Sequence, residues 1–205
     1  IDWLSLPTLA SPPALAAILD AERGGRFVLQ PEGRFDVERR YVPDTNVLET
    51  TFRAGDGAAR VTDAITTHSR GPLPWFELVR RVEGLSGEVR FHWELDLRFP
   101  LGGGEGTHVD VLAFDTNGDA NSFAVREGTS ALLALVAVED EPVPKPTRDE
   151  IERRLSDTID VWRTWIRDHD YEGPWHDAVT RSALVLNLLT YEPAGGIAAA
   201  ATTSL

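Results

Sequence analysis

Val89-Arg90-Phe91-His92-Trp93-Glu94-Leu95-Asp96-Leu97-Arg98-Phe99 alternates apolar and polar residues along its whole length. Successive side chains of a strand point to opposite faces. Phe91, Trp93, Leu95, Leu97 and Phe99 therefore share one face, and His92, Glu94, Asp96 and Arg98 the other. This pattern predicts an antiparallel strand with one face in a core and one face wet or polar-lined.

The same period of two extends upstream to Val37. Strands are expected at Arg26 to Gln30, Asn46 to Ala54 and Ala58 to Ala64, the last two joined by Gly55-Asp56-Gly57, whose residues tolerate positive φ. Phe76 to Val82 and the opening strand form the next expected pair, joined by Glu83-Gly84-Leu85-Ser86-Gly87. Downstream, a glycine-rich loop from Leu101 to Gly106 precedes shorter strands at His108 to Phe114 and Ser122 to Arg126. Ala131 to Val138 is an unbroken apolar run and is read as a buried strand. Many short strands at this spacing point to an antiparallel β-sandwich of two sheets. At the front, Ile1 to Leu6 is read as a strand, and Ser11 as the cap of a short helix opened by Pro12 and Pro13 and running through Leu19.

Three alternating prolines in Glu141-Pro142-Val143-Pro144-Lys145-Pro146 mark a stiff boundary. Thr147 then caps a helix, with Glu150 in the capping-box position. Ile151, Leu155, Ile159, Trp162 and Ile166 give that helix one apolar stripe, which lies it on a surface. A second helix is predicted from Trp175 to Thr190, with Pro174 at its first position. Its apolar residues run almost all the way round, so it wants burial on nearly every side, more than the single helix before it can supply. The resulting division is 1–140, a β-sandwich; 141–170, linker and surface helix; and 171–205, the opening of a helical body that continues past Leu205.

The 205 residues are 42% hydrophobic, enough for a packed core, and carry a net charge of −13. That charge argues against nucleic-acid binding, which needs a basic face, and against anionic membranes. The chain has no cysteine, which excludes disulfides and thiolate metal sites and fits a reducing, cytoplasmic setting. No stretch is long enough to span a membrane, and no signal-peptide layout opens the chain. It has no methionine either, so Ile1 is not expected to be the native start and both ends are expected to be trimmed.

Four segments carry a resemblance. YEGPWHDAVTRSALVLNLLTYEPAGGIAAAATTSL (171–205) looks like the segment that opens the catalytic domain in bacterial members of glycoside hydrolase family 15, the glucoamylase and trehalase-like enzymes. IDWLSLPTLASPPALAAIL (1–19) is similar to that family's N-terminal signature, and RRYVPDTNVLETTF (39–52) and LVRRVEGLSGEVRF (78–91) to its early strands. The resemblance implies a β-sandwich, a linker with helices, and then an (α/α)6 barrel. It also implies two barrel carboxylates that hydrolyse an α-glucosidic bond of an α-glucan or a trehalose-type sugar with inversion. Those carboxylates are expected beyond position 205, so the chain alone is expected to be inactive. Thr202, Thr203 and Ser204 match a segment near the sugar-binding mouth of such barrels. Many relatives carry an aromatic and basic segment after the strand at 89–99; here Gly102-Gly103-Gly104-Glu105-Gly106 stands instead.

An inverting pair of carboxyl groups needs a separation of roughly 6.5–9.5 Å. Glu94 and Asp96 share a strand face about 7 Å apart by strand rise, but any i, i+2 pair does, and a solvated strand face accounts for them. His68, His92, His108, His169 and His176 form no HExxH motif, and Asp168-His169-Asp170 reads as a favourable group at a helix C-terminus. Asp115-Thr116-Asn117-Gly118-Asp119 lacks the closing glutamate of a calcium loop and reads as a turn. No nucleophile elbow, phosphate loop or cofactor motif occurs. Among the tryptophans, Trp93 and Trp162 fall on apolar faces, whereas Trp75 sits in a loop beside Pro72 and Pro74 and is the candidate sugar-stacking ring. Two alternatives stand beside the enzyme reading: a non-catalytic sugar-binding sandwich, and a structural sandwich that mediates homo-oligomerisation.

Overall fold

The forecast turn at Gly55-Asp56 forms, with Gly55 at a φ of 61° and Ala54 paired to Gly57. It joins β5 (Leu48–Ala54) to β6 (Gly57–Ile65), neighbours in the largest sheet among the described residues. The computed structural model describes residues 1–6, 8, 11–67, 73–98, 106–116, 121–169, 171–191 and 195–200. In chain order the remaining strands are β1 (Leu4–Ser5), β2 (Pro13–Leu15), β3 (Arg26–Pro31), β4 (Asp36–Tyr41), β7 (Phe76–Ser86), β8 (Glu88–Asp96), β9 (Thr107–Phe114), β10 (Ser122–Arg126), β11 (Ser130–Glu139), β12 (Thr190–Tyr191) and β13 (Gly196–Ile197). Two helices complete the described residues, α1 (Arg148–Asp168) and α2 (His176–Leu188).

A six-stranded antiparallel sheet runs β4-β5-β6-β7-β11-β9, and a three-stranded one runs β10-β8-β3. Between them lies the main core. Phe27, Leu29, Val89, Phe91, Phe123 and Val125 come from the smaller sheet, and Phe52, Val61, Leu78, Val82, Leu133 and Leu135 from the larger. The opening strand behaves as its alternation demands: Val89 and Phe91 are buried, with Trp93, Leu95 and Leu97 packed against the same core.

β11 is apolar without alternation because both its faces are covered. Ala131, Leu133, Leu135 and Ala137 face the sandwich interior. Leu132 and Ala134 turn to the other side, where Val47, Ala64 and Val79 meet Ile151 and Leu155 of α1. Ile159 and Trp162 pack beside them, so the stripe of α1 lies on the outer face of the six-stranded sheet.

The start of α1 carries the forecast capping box. Glu150 N–H donates to Thr147 Oγ1 at 3.4 Å, and Thr147 N–H donates to Glu150 Oε2 at 2.8 Å. The Thr147 backbone N–H, and then its hydroxyl, hold the Glu150 carboxyl below its ordinary value of 4.5. A depressed folded value means the carboxylate favours the fold above the unfolded value, and that contribution disappears as pH falls through the lower folded value. Thr147→Ala is expected to cost about 1 kcal/mol in urea unfolding at neutral pH. The variant keeps the backbone N–H and loses only the hydroxyl's share of the effect on Glu150, so the difference between the two proteins should shrink as pH falls through the carboxylate range; a gap that stays constant into acid would contradict the hydroxyl's part.

Four expectations are corrected. Residues 12–19 do not form a helix. Pro13–Leu15 is a strand paired with Leu4–Ser5, and turns follow it, closed by Ala16 N–H donating to Gly24 O at 2.6 Å. A residue before proline is pushed towards extended backbone, and a run this short cannot meet the cost of helix nucleation. The strand expected over Ile1 to Leu6 is confined to Leu4–Ser5. Glu83 to Gly87 is not a loop between paired strands: β7 and β8 are separated by Gly87 alone, at a φ of 57°, and belong to different sheets. The fourth concerns α2, which starts at His176, with Trp175 rather than Pro174 at its boundary. Of its side chains only Leu184 is buried, while Trp175, at 72% exposure, and Leu186, at 52%, stand in the open. The described residues thus leave most of this girth uncovered, as one preceding helix must. Polar contacts tie the helix to the connection between β4 and β5. Arg181 donates to Thr45 O at 2.9 Å and to Asn46 Oδ1, and its guanidinium lies 4.1 Å from the centre of the Tyr41 ring. Asn46 Nδ2 donates back to Leu184 O at 2.9 Å.

Candidate functional site

β7 begins beside the only tryptophan singled out from the sequence. Its second residue, Glu77, is fully buried and accepts from Arg154 Nε at 2.9 Å, Arg154 Nη2 at 2.6 Å and Thr66 Oγ1 at 2.7 Å. Arg154 comes from the sheet-facing side of α1, so this ion pair fixes helix to sheet. Two bonds from one guanidinium to one carboxylate also set the plane of the arginine. That guanidinium lies 5.7 Å from the centre of the Trp75 ring, which is half-buried. The position of Trp75 thus follows from the buried pair behind it.

Trp75 lines a cleft of about 680 Å³ at the junction of sandwich and helices. One wall is made by Phe76 and by Ala137, Val138 and Glu139 at the end of β11. Trp162 of α1 lines it as well, so the ring assigned to core packing has a second role. Glu141, Thr67 and Thr8 supply polar groups, and Leu188 of α2 borders it. Glu139 and Glu141 are exposed. The described lining holds two carboxylates and no Lys or Arg. Trp162 was legible as a helix-stripe residue, but nothing local in the sequence links it or the two glutamates to Trp75. They meet only because α1 lies on the sheet.

The other candidates separate. Glu94 is exposed on the outer face of β8, and Asp96 pairs with Arg98 Nε at 2.8 Å. They remain a solvated strand face, as the sequence reading held. His169 caps α1: its Nδ1–H donates to Trp165 O at 2.8 Å and its ring stacks on Trp165 with centres 4.2 Å apart. Asp115 pairs with Arg148, while the rest of the acidic turn, 117–119, lies outside the described residues, as do Thr202, Thr203 and Ser204. Among the described residues no group of three or more His, Asp or Glu side chains is placed to hold a metal, and no helix is long and apolar enough to cross a membrane.

Stacked antiparallel sheets, a helix locked to the outer face and an indole-lined acidic cleft beside it define a β-sandwich braced by helices. Over its whole length the chain is 31% identical to a trehalase of Thermoplasma acidophilum, of which it covers 39%. It is 30% identical, again over its whole length, to a trehalase of Mycobacterium tuberculosis and one of Thermoplasma volcanium, of each of which it covers 36%. The chain therefore spans well under half the length of these curated relatives. No family model matches it.

Proposed function

We propose that the chain is the front portion of a trehalose-cleaving glycoside hydrolase of glycoside hydrolase family 15, acting in the cytoplasm. In this reading residues 1–140 form the sandwich, 141–170 the linker and bracing helix, and 171–205 the opening of an (α/α)6 barrel. The catalytic carboxylates belong to that barrel, outside these residues. One protonates the glycosidic oxygen as the bond to the anomeric carbon breaks, and the other takes a proton from the water that attacks the opposite face, inverting the centre. The observation that carries the reading is full-length similarity to trehalases that are more than twice as long. The open apolar side of α2 and its start supports it, because Trp175, Val179 and Leu186 share one exposed side that further helices would cover. Thr202, Thr203 and Ser204 would then stand near the sugar-binding mouth. The sandwich would brace the barrel and edge that mouth.

The parent protein is expected to release glucose from trehalose far faster than from maltose or starch. Residues 1–205 alone are expected to release none from any of the three. Preference for maltose or starch would replace trehalase with glucoamylase activity. Turnover by the 205 residues, lost in Glu94→Gln or Asp96→Asn, would overturn the division of labour. A second reading, a sugar-binding sandwich, is favoured by one observation only, the cleft beside Trp75.

A further inference from the structure

We propose that the cleft between β11, α1 and Trp75 binds a neutral glucoside, with Trp75 and Trp162 as its apolar platform and Glu139 and Glu141 as acceptors for sugar hydroxyls. The choice of a sugar rests on the trehalase reading; the existence and chemistry of the site rest on the cleft.

Four observations support it. The volume, about 680 Å³, falls in the range of small-molecule sites, roughly 300–1,000 Å³. The lining combines two indoles with hydroxyls and carboxylates, the mixture a pyranose requires: its C–H faces are apolar and its rim is a ring of hydroxyl donors and acceptors. The charge pattern narrows the class. Two carboxylates and no basic side chain in the described lining repel phosphates and carboxylates, so an anionic ligand is disfavoured. The platform is also held in place. Trp75 lies against Arg154, whose two bonds to the buried Glu77 fix it, and Trp162 is carried on the helix that the same pair fastens to the sheet. A site whose rings are already oriented loses less freedom on binding. Thr67 and Thr8 lie in the same lining. An indole pair with two carboxylates is also the chemistry of a cage for an organic cation, and the test must separate the two.

The experiment titrates the 205-residue chain with trehalose, with maltose and, separately, with choline chloride, following tryptophan fluorescence and heat. Saturable binding of trehalose or maltose is expected, with choline inert. Glu139→Gln and Glu141→Gln leave packing untouched, and each is expected to weaken sugar binding roughly tenfold, the loss of a hydrogen bond to a charged acceptor. Trp75→Ala should abolish it. Saturation by choline and not by sugar would overturn the proposal. So would sugar binding that ignores both glutamine variants, or no binding by a chain whose circular dichroism shows it folded. The two readings fail separately. A parent that cleaves trehalose, with a front portion that binds no sugar, removes this site and leaves the enzyme. Sugar bound here by a chain whose parent leaves trehalose intact removes the enzyme and leaves the site.

Discussion

Glu77→Ala is expected to destabilise the chain by about 3–5 kcal/mol, the cost of leaving a buried charge without its partner. Glu77 is fully buried, and Arg154 is nearly so, with its side chain 8% exposed. Both partners of the carboxylate are cut off at once: Arg154 loses two charge-assisted hydrogen bonds, and Thr66 loses the acceptor for its hydroxyl. Arg154 sits between sheet and helix, where water cannot fully replace what the glutamate supplied. Most of that cost is the charge left buried on Arg154, not the net worth of the pair. Replacing both partners together, Glu77→Leu with Arg154→Leu, is expected to cost far less than the single change, because no charge stays buried and only the Thr66 hydroxyl loses its acceptor. Urea unfolding of Glu77→Leu, Arg154→Leu and the double variant gives the coupling directly. A cost under about 1 kcal/mol for Glu77→Ala, the scale of an exposed pair, would mean that solvent reaches this position. The single variant should also free Trp75, whose ring lies against Arg154, and so weaken whatever the cleft holds.

That ion pair was invisible from the sequence, and the reason shows where local reading stops. Period two reports only that one face of a strand is buried, which is why the inward residues of β8 could be named from the reading of Val89 to Phe99, although the strand itself ends at Asp96. The helical stripe of α1 and its capping box are likewise local, and both are present. Glu77 lies in a strand that reads as Phe-Glu-Leu-Val-Arg-Arg-Val, where a glutamate two residues into the strand looks like any outward-facing charge. It is buried because α1 covers that side of the sheet. The stripe of α1 announced a surface helix without saying which surface. β11 shows the converse: its unbroken apolar run signalled burial, and only the three layers explain why both faces are dry.

Pairing was the least legible feature. β3, β8 and β10 form one sheet although Val28 and Glu94 stand far apart in the chain, and no pattern within a strand names a distant partner. β7 and β8 are adjacent in sequence and were expected to pair, yet the chain changes sheets at Gly87. A Cβ there would lie 3.0 Å from Gly57 Cα and 3.1 Å from Asp56 O, so a side chain would press on the neighbouring turn as well as strain the positive φ. The error at residues 12–19 has another source. Proline at the start of an apolar run is compatible with helix and with strand, and Ala14 and Leu15 are both fully buried while Ile18 and Leu19 are exposed. The candidate site divides the same way: Trp75 was named from its neighbours in sequence, while Glu139, Glu141 and Trp162 join it only through packing of α1 and β11.

Phe91→Ala tests the opposite side of the six-stranded sheet and is expected to cost about 3–5 kcal/mol, the range for removing a large aromatic from a close-packed core. Phe91 is fully buried on β8. Its ring meets Phe52 of β5 edge-on, with centres 5.8 Å apart, and stacks on Phe123 of β10 at 5.7 Å. Phe52 in turn meets Phe35 edge-on at 5.3 Å. The contact with Phe52 crosses from one sheet to the other, so the alanine variant leaves a cavity at the interface that makes the fold a sandwich. Phe35 is only partly buried at the rim of the same aromatic row, where water and neighbouring side chains can fill the space. Phe35→Ala should therefore cost well under half as much. Phe91→Leu keeps most of the volume and should fall between them. Urea unfolding measures all three, and near-ultraviolet circular dichroism reports whether the remaining rings keep a fixed setting. Equal costs for Phe35→Ala and Phe91→Ala would mean that the row is solvated along its length. The two sheets would then lack a common interior, which is the one feature that both the alternation of residues 89–99 and the packing around Phe91 require.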